Sequence, residues 1–159
     1  MILEVPMAQE TIRYGHAIEA GARYSCLALV VGPEGKVPLV REFRRAHPLW
    51  KLAGGRNQPN EEPIDTIIRE ISEELGLTAE RSNVQVLDTI DRGDHYQHVF
   101  LVAVDTFDGL HEFGQENGSA DLEVRLFQQG ALMREGLLPP HRALLEEQRP
   151  ALRKLGVVI

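Results

Sequence analysis

The sequence predicts an α/β protein, an α/β/α sandwich with a mixed β-sheet between helical layers. Three observations lead there. Short β-branched and aromatic runs alternate with helical patterns along the chain. One segment, 63–75, sets apolar and acidic residues at helical spacing on different sides. A length of 159 residues with 43% hydrophobic content suits one domain, 1–159, with a full core.

Taken in order, YSCLALVV (24–31) and VPLVREF (37–43) read as strands joined by the turn Gly32-Pro33-Glu34-Gly35, a hairpin signal. LWKL (49–52) runs into Gly54-Gly55, and a helix over 63–75 follows. Pro63 suits its first turn, with Asn60, Glu61, Glu62 and Asp65 placing acid and capping groups at its N-terminus. Gly76 suits the left-handed residue that ends it. NVQVLDTI (83–90) and HVFLVAV (98–104) are further strands, and the acidic segment 105–121 reads as a long loop. LEVRLF (122–127) is a last strand. Residues 128–138 and 140–155 read as helices, the second interrupted at Pro150.

Within 63–75, Ile64, Ile67, Ile68, Ile71 and Leu75 form an apolar stripe for packing on a sheet. Glu70, Glu73 and Glu74 stand opposite at i, i+3 and i+4, with Arg69 flanking Glu73. Three neighbouring carboxylates repel one another, which a purely structural helix would relieve with more Lys or Arg. A hard cation such as Mg²⁺, which takes oxygen ligands, suits such a face.

The longer stretch GRNQPNEEPIDTIIREISEELGL (55–77) places Gly55, Glu61, Arg69, Glu70, Glu73, Glu74 and Gly76 at fixed spacings, with Ile71 and Leu77 aliphatic. It resembles the Nudix box, G-x5-E-x7-R-E-U-x-E-E-x-G-U, at every specified position. The resemblance implies the Nudix fold and metal-assisted hydrolysis of a nucleoside diphosphate linked to another moiety. It implies metal ligation by Glu70 and Glu74, with Glu73 sharing the site, and a backbone carbonyl of Gly54 or Gly55 as a further ligand. Catalytic roles then fall to Glu73, Glu70 and Arg69, with Arg69 orienting a glutamate and Glu61 either supporting from behind or binding the metal through a water. The general base varies among such enzymes, being a box glutamate or one on the loop before the final strand. Here that loop offers Glu116, beside Gly114, Gly118 and Ser119, and Glu112, with Glu123 a weaker alternative. The implied cofactor is Mg²⁺, with Mn²⁺ as a substitute.

Before the box, VREFRRAHPLWKLAGG (40–55) resembles the corresponding segment of ADP-ribose and nucleotide-sugar pyrophosphatases. Ala53 departs from it by standing where proline is usual, and Ile67 and Ile68 by replacing small residues. Arg41, Arg44 and Arg45 form a basic cluster suited to phosphate; the alternative is pairing with Glu42 or Glu34. Tyr96 or Trp50 could stack a base, although both sit beside strand-like residues. His95 and His98 are three apart, which in a strand sends them to opposite faces, so no metal pair is expected.

Composition narrows the partners. A net charge of −7 argues against a broad nucleic-acid grip; the small-molecule nucleotide substrate is what the resemblance to the Nudix box implies. No apolar run reaches about 18 residues, so no membrane span is expected. The opening MILEVPMAQETIRYG carries Glu4 and Pro6 and no basic region, against a signal peptide. The single cysteine, Cys26, lies in an apolar run and reads as a buried small hydrophobe. A cytoplasmic enzyme is the expectation. Likeness to ADP-ribose-type enzymes further suggests that residues 1–20 form a hairpin at a homodimer contact. Three functions follow: a diphosphate-derivative pyrophosphatase, a housecleaning nucleoside triphosphate pyrophosphatase, and a nucleotide-sensing domain that binds without cleaving.

Overall fold

A computed structural model describes residues 23–116 and 119–159; the segment expected at a dimer contact, 1–20, lies outside the described residues. In chain order the elements are β1 (Tyr24–Val31), β2 (Lys36–Glu42), β3 (Ala53–Arg56), α1 (Pro63–Leu75), β4 (Val84–Asp91), β5 (Tyr96–Ala103), β6 (Phe113–Glu116), β7 (Ser119–Gln128) and α2 (Pro139–Lys154). The α/β expectation is borne out, but the strands divide between two sheets. One is mixed, in the order β3-β1-β5-β4 with β1 and β5 parallel; the other is antiparallel, β2-β7-β6.

That division corrects the hairpin reading of 24–43. Both edges of β1 are taken, by β3 and by β5, so β2 has no edge of β1 to join. The Gly32–Gly35 turn carries the chain from one sheet to the other, with Glu34 and Gly35 at positive φ. The turn chemistry was legible; which strand would lie beside which was not.

Two cores result. On one side, Ile67, Ile71 and Leu75 of α1, all fully buried, pack with Cys26, Ala28 and Phe100 of the mixed sheet and Val40, Leu122 and Val124 of the other. Each such aliphatic side chain contributes roughly 1.5–3 kcal/mol on removal from water. On the other side, Leu144, Leu145 and Leu152 of α2 meet Leu27, Leu29 and Leu101, with Leu39 and Trp50. α1 runs as expected from Pro63 at its first position to Gly76 at φ 75°.

Three further expectations need correction. The 105–121 loop contains β6 and the start of β7; β6 is only four residues long and includes Gly114, so it carries little local strand signal. Residues 128–138 form a short 3-10 turn, Gln129–Arg134, and then an extended bridge from Leu137 to Trp50, where Gly130 and Gly136 weaken any helix. α2 is not interrupted at Pro150 but runs through it. Pro150 and Glu146 are both exposed, so the carbonyl that loses its amide partner can be hydrated.

Candidate active site

The site begins with two glycines. β3 reads AGGR, a composition with no strand preference of its own, yet it pairs along β1 with Gly54 opposite Leu27 and Gly55 opposite Cys26. A Cβ on Gly54 would stand 2.0 Å from the Cys26 carbonyl oxygen, so only glycine allows this approach. A Cβ on Gly55 would stand 2.7 Å from the Glu70 carboxyl group. The glycines thus bring bare backbone against the acidic side of α1.

Glu74 completes that contact. It is 2% exposed, and its Oε1 accepts the Gly54 amide at 2.8 Å. Glu74 is therefore packed against the glycine strand rather than standing on a solvated face. Glu70 is partly buried and Glu73 is exposed. One helix turn thus offers three carboxylates at three depths.

Arg69 organises them. Its guanidinium donates in bidentate fashion to Glu61, 2.8 Å to Oε2 and 3.0 Å to Oε1. It also donates to Glu70 at 2.8 Å, to Glu73 at 3.2 Å and to the Arg56 carbonyl at 3.0 Å. Glu61 Oε1 further accepts the Gln58 amide at 3.0 Å and the Thr66 hydroxyl at 2.7 Å. Burial alone would raise the Glu61 pKa, but Arg69 and these donors outweigh it and hold the carboxyl down at about 2. Glu70 moves the other way: burial raises it, with help from the nearby charges of Glu73 and Glu61, against the pull of Arg69.

Sequence reasoning missed the cage around Glu61. The Tyr24 hydroxyl donates to the Glu61 carbonyl and lies 3.2 Å from the Thr66 hydroxyl. Burial pushes the Tyr24 pKa up, so the phenol stays protonated. His141 was missed too. Its Nδ1 accepts the Leu52 amide at 2.9 Å, two residues before Gly54, and burial followed by the charge of Lys51 lowers it to about 4. Thr66 lies in the helix that the motif had marked, but nothing local distinguishes Tyr24 or His141 from other half-apolar residues.

The basic cluster is only partly assembled. Arg41 is held by Glu123, at 2.7 Å and 3.2 Å, and lies 4.4 Å from the centre of the Trp50 ring. Arg44 is 3.5 Å from Asp121, and Arg45 pairs with Glu42; both arginines are largely exposed. Pairing with Glu42 therefore occurs at Arg45, whereas Glu34 meets Lys36 instead. Trp50 is 5% exposed and belongs to the core beside Phe127. Tyr96 opens β5 opposite Tyr24 and packs against the α1 core, away from Arg41 on the other sheet. The two histidines are separate: His98 is buried at 3.1 Å from Thr89, and His95 meets Asp94 outside the strand. Glu112 is exposed just before β6; β6 ends at Glu116, whose side chain lies outside the described residues.

Whether the acidic group suits a metal is a question of donor chemistry. Among the described residues, no three His, Cys, Asp or Glu side chains are arranged to hold an ion as they stand. Arg69 already bridges Glu61, Glu70 and Glu73. The donors are nevertheless all hard oxygens, and the missing Cβ of Gly55 leaves a cradle against Glu70. That set fits a divalent cation.

The fold and this acidic centre define a class of hydrolase built on a glycine strand and a glutamate-bearing helix. The family model for the NUDIX domain matches residues 21–148. The chain belongs to the Nudix family and is a pyrophosphohydrolase, an enzyme class that acts on small-molecule nucleotides and generally uses divalent metals. No curated protein sequence matches it. Among solved structures it is similar to a MutT described from Aliivibrio salmonicida and Vibrio cholerae. That match has a TM-score of 0.62 at 14% identity, covering 80% of this chain and 96% of that one. It is also similar to a NUDIX-family hydrolase from Clostridium perfringens, with a TM-score of 0.60 at 17% identity, covering 80% and 95%. The E. coli ORF135 protein matches at a TM-score of 0.55 and 24% identity, covering 83% and 91%. At these identities the likeness is one of fold. None of the helices among the described residues is long and apolar enough to cross a membrane.

Proposed function

We propose that this chain, acting as one domain in the cytoplasm, hydrolyses the pyrophosphate bond of a nucleoside diphosphate linked to another moiety, such as ADP-ribose or a nucleotide sugar. The observation that carries the reading is the convergence of Gly54 and Gly55 with Glu70, Glu73 and Glu74 around Arg69. Glu70, Glu74 and the Gly54 carbonyl are the proposed metal ligands, with Glu73 sharing the site. Mg²⁺ bound there, or Mn²⁺ in its place, would neutralise pyrophosphate charge and lower the pKa of a bound water. The protein's own groups do the rest. Arg69 keeps Glu70 and Glu73 oriented, and Glu61 with its cage anchors Arg69. A carboxylate takes the proton from the attacking water: Glu73 in one version, Glu116 in the other. Separate Glu73→Gln and Glu116→Gln variants distinguish them, because only loss of the base removes the acidic limb of the pH–rate profile.

Arg41, Arg44 and Arg45 are the proposed phosphate contacts. Arg44 and Arg45 are largely exposed, and ion pairs on exposed arginines are weak enough to exchange for phosphate, whereas Arg41 must first part from Glu123. The segment VREFRR leading to WKLAGG supports a diphosphate-derivative substrate. A second reading, a nucleoside triphosphate pyrophosphatase, draws support from the likeness to a MutT.

The test is product release from a nucleotide panel with Mg²⁺, comparing wild type with Glu74→Gln. Turnover of ADP-ribose or a nucleotide sugar, with triphosphates left intact, supports the first reading. Activity confined to triphosphates sinks it in favour of the second. Binding of nucleotides with no turnover at all would leave a sensor domain. Full activity in Glu74→Gln would overturn the metal assignment.

A further inference from the structure

Four large hydrophobic side chains are exposed among the described residues: Phe43 (37%), Leu49 (41%), Phe113 (49%) and Val158 (55%). The two aromatic ones touch. Their rings meet edge to face, 5.3 Å between centres and 63° between planes. Phe43 follows the end of β2 and Phe113 begins β6, so β7 lies between their strands. The pair is therefore a product of the sheet and not of local sequence.

Its position in the sheet sets it on the same face as Arg41, the face turned away from the box helix. Phe113 is opposite Glu123 in the register, and Glu123 is opposite Arg41. Side chains directly opposite one another share a face, so Phe113, Glu123 and Arg41 lie on the same side of this sheet. The next residue, Gly114, points the other way. A Cβ there would stand 1.9 Å from the Glu74 carbonyl oxygen, so β6 runs directly against the main chain of the box helix. On the outer side the Arg44 guanidinium lies 5.5 Å from the centre of the Phe43 ring and 3.5 Å from Asp121.

We propose that the Phe43–Phe113 pair is the platform on which the aromatic base of the substrate stacks, with Arg41 and Arg44 beside it for the phosphates. This rests on the nucleotide reading above and assigns the base-binding part of it. A flat π face joined to an anion matches two exposed rings bordered by two guanidinium groups. Two phenyl rings supply no hydrogen-bond donor or acceptor, so the platform grips a base without reading its edge. Broad tolerance of base identity follows, and discrimination rests on the phosphate side and the second moiety.

The experiment is calorimetric titration of the full chain with AMP and, separately, with ribose 5-phosphate, which lacks the base. Wild type is compared with Phe43→Ala, Phe113→Ala and Phe113→Trp, each checked for folding by thermal melting. Stacking contributes enough that either alanine variant should weaken AMP about tenfold or more. Ribose 5-phosphate should bind all variants alike, and Phe113→Trp should recover AMP affinity. Unchanged AMP affinity in both alanine variants, or equal loss for both ligands, overturns the platform. Turnover separates this result from the hydrolase reading. If wild type cleaves no nucleotide but loses AMP selectively in Phe113→Ala, hydrolysis fails and the platform stands. If wild type hydrolyses the panel while AMP affinity ignores both rings, the reverse holds.

Discussion

Glu74 Oε1 accepts the Gly54 amide at 2.8 Å, joining the end of the box helix to the glycine strand across twenty residues of chain. The bond is made inside the protein, since Glu74 is 2% exposed. A buried carboxylate with a backbone donor fixes the glycine strand against the box helix.

The two glycines should fail differently when mutated. Gly54→Ala puts a methyl group against backbone that cannot move aside, 2.0 Å from the Cys26 oxygen. It should lower stability by about 2–4 kcal/mol, read as a fall in the denaturant midpoint. Gly55→Ala meets only the end of the Glu70 side chain at 2.7 Å. That end can swing away, so stability should change by under about 1 kcal/mol while turnover falls at least tenfold. Equal losses of stability in both variants would refute this distinction.

Arg69→Lys should not be conservative. One guanidinium serves Glu61, Glu70, Glu73 and the Arg56 carbonyl, a set that an ammonium with three donors cannot match. A loss of about 2–3 kcal/mol is expected in chemical unfolding at pH 7. The pH dependence carries the same signature. With Glu61 at about 2 in the fold against an ordinary value near 4.5, its contribution is complete above pH 4.5 and disappears as pH falls towards 2. In Arg69→Ala that part of the acid slope should flatten.

His141 adds an earlier acid transition. Its folded pKa is about 4 against an ordinary 6.5, so the folded protein favours the neutral ring that accepts the Leu52 amide. Stability from this group is full above pH 6.5 and is lost as pH falls from 6.5 to 4, below which it no longer changes. The loss amounts to roughly 3 kcal/mol, at 1.36 kcal/mol per pKa unit. Replacing His141 with Gln keeps an acceptor without the titration. Melting temperatures across pH 4–7 should then be flatter than in wild type.

Cys26 should be unreactive in the folded protein. It is fully buried, its thiol lies 3.5 Å from the Pro63 carbonyl, and burial pushes its pKa up. A thiol reagent should label it only in denaturant. Stoichiometric labelling of the native protein would contradict this placement.

Much of the fold and of the acidic centre could be read from the chain. The isoleucine stripe, Pro63 and Gly76 located α1 because helical period and caps are local properties. Strands 24–31, 83–90 and 98–104 were legible from β-branched runs and fall within a residue or two of β1, β4 and β5. β3 and β6 were not, because both are short and glycine-bearing and owe their shape to partners. Arg45 was legible as a partner of Glu42, three residues away, whereas Arg41 found Glu123.

The amino-acid order alone placed the glutamates of the box on one helix and identified the family, since both depend on spacing within a single stretch of chain. Through that family it also implied a small nucleotide as the substrate, while net charge argued against nucleic acid. Folding settled the depths of Glu70, Glu73 and Glu74, the saturation of Arg69, and the meeting of Phe43 with Phe113. Those features rest on pairings such as Arg41 with Glu123, 82 positions apart. Sequence period carries no information about contacts at that separation; they exist only once two sheets and a helix have packed together.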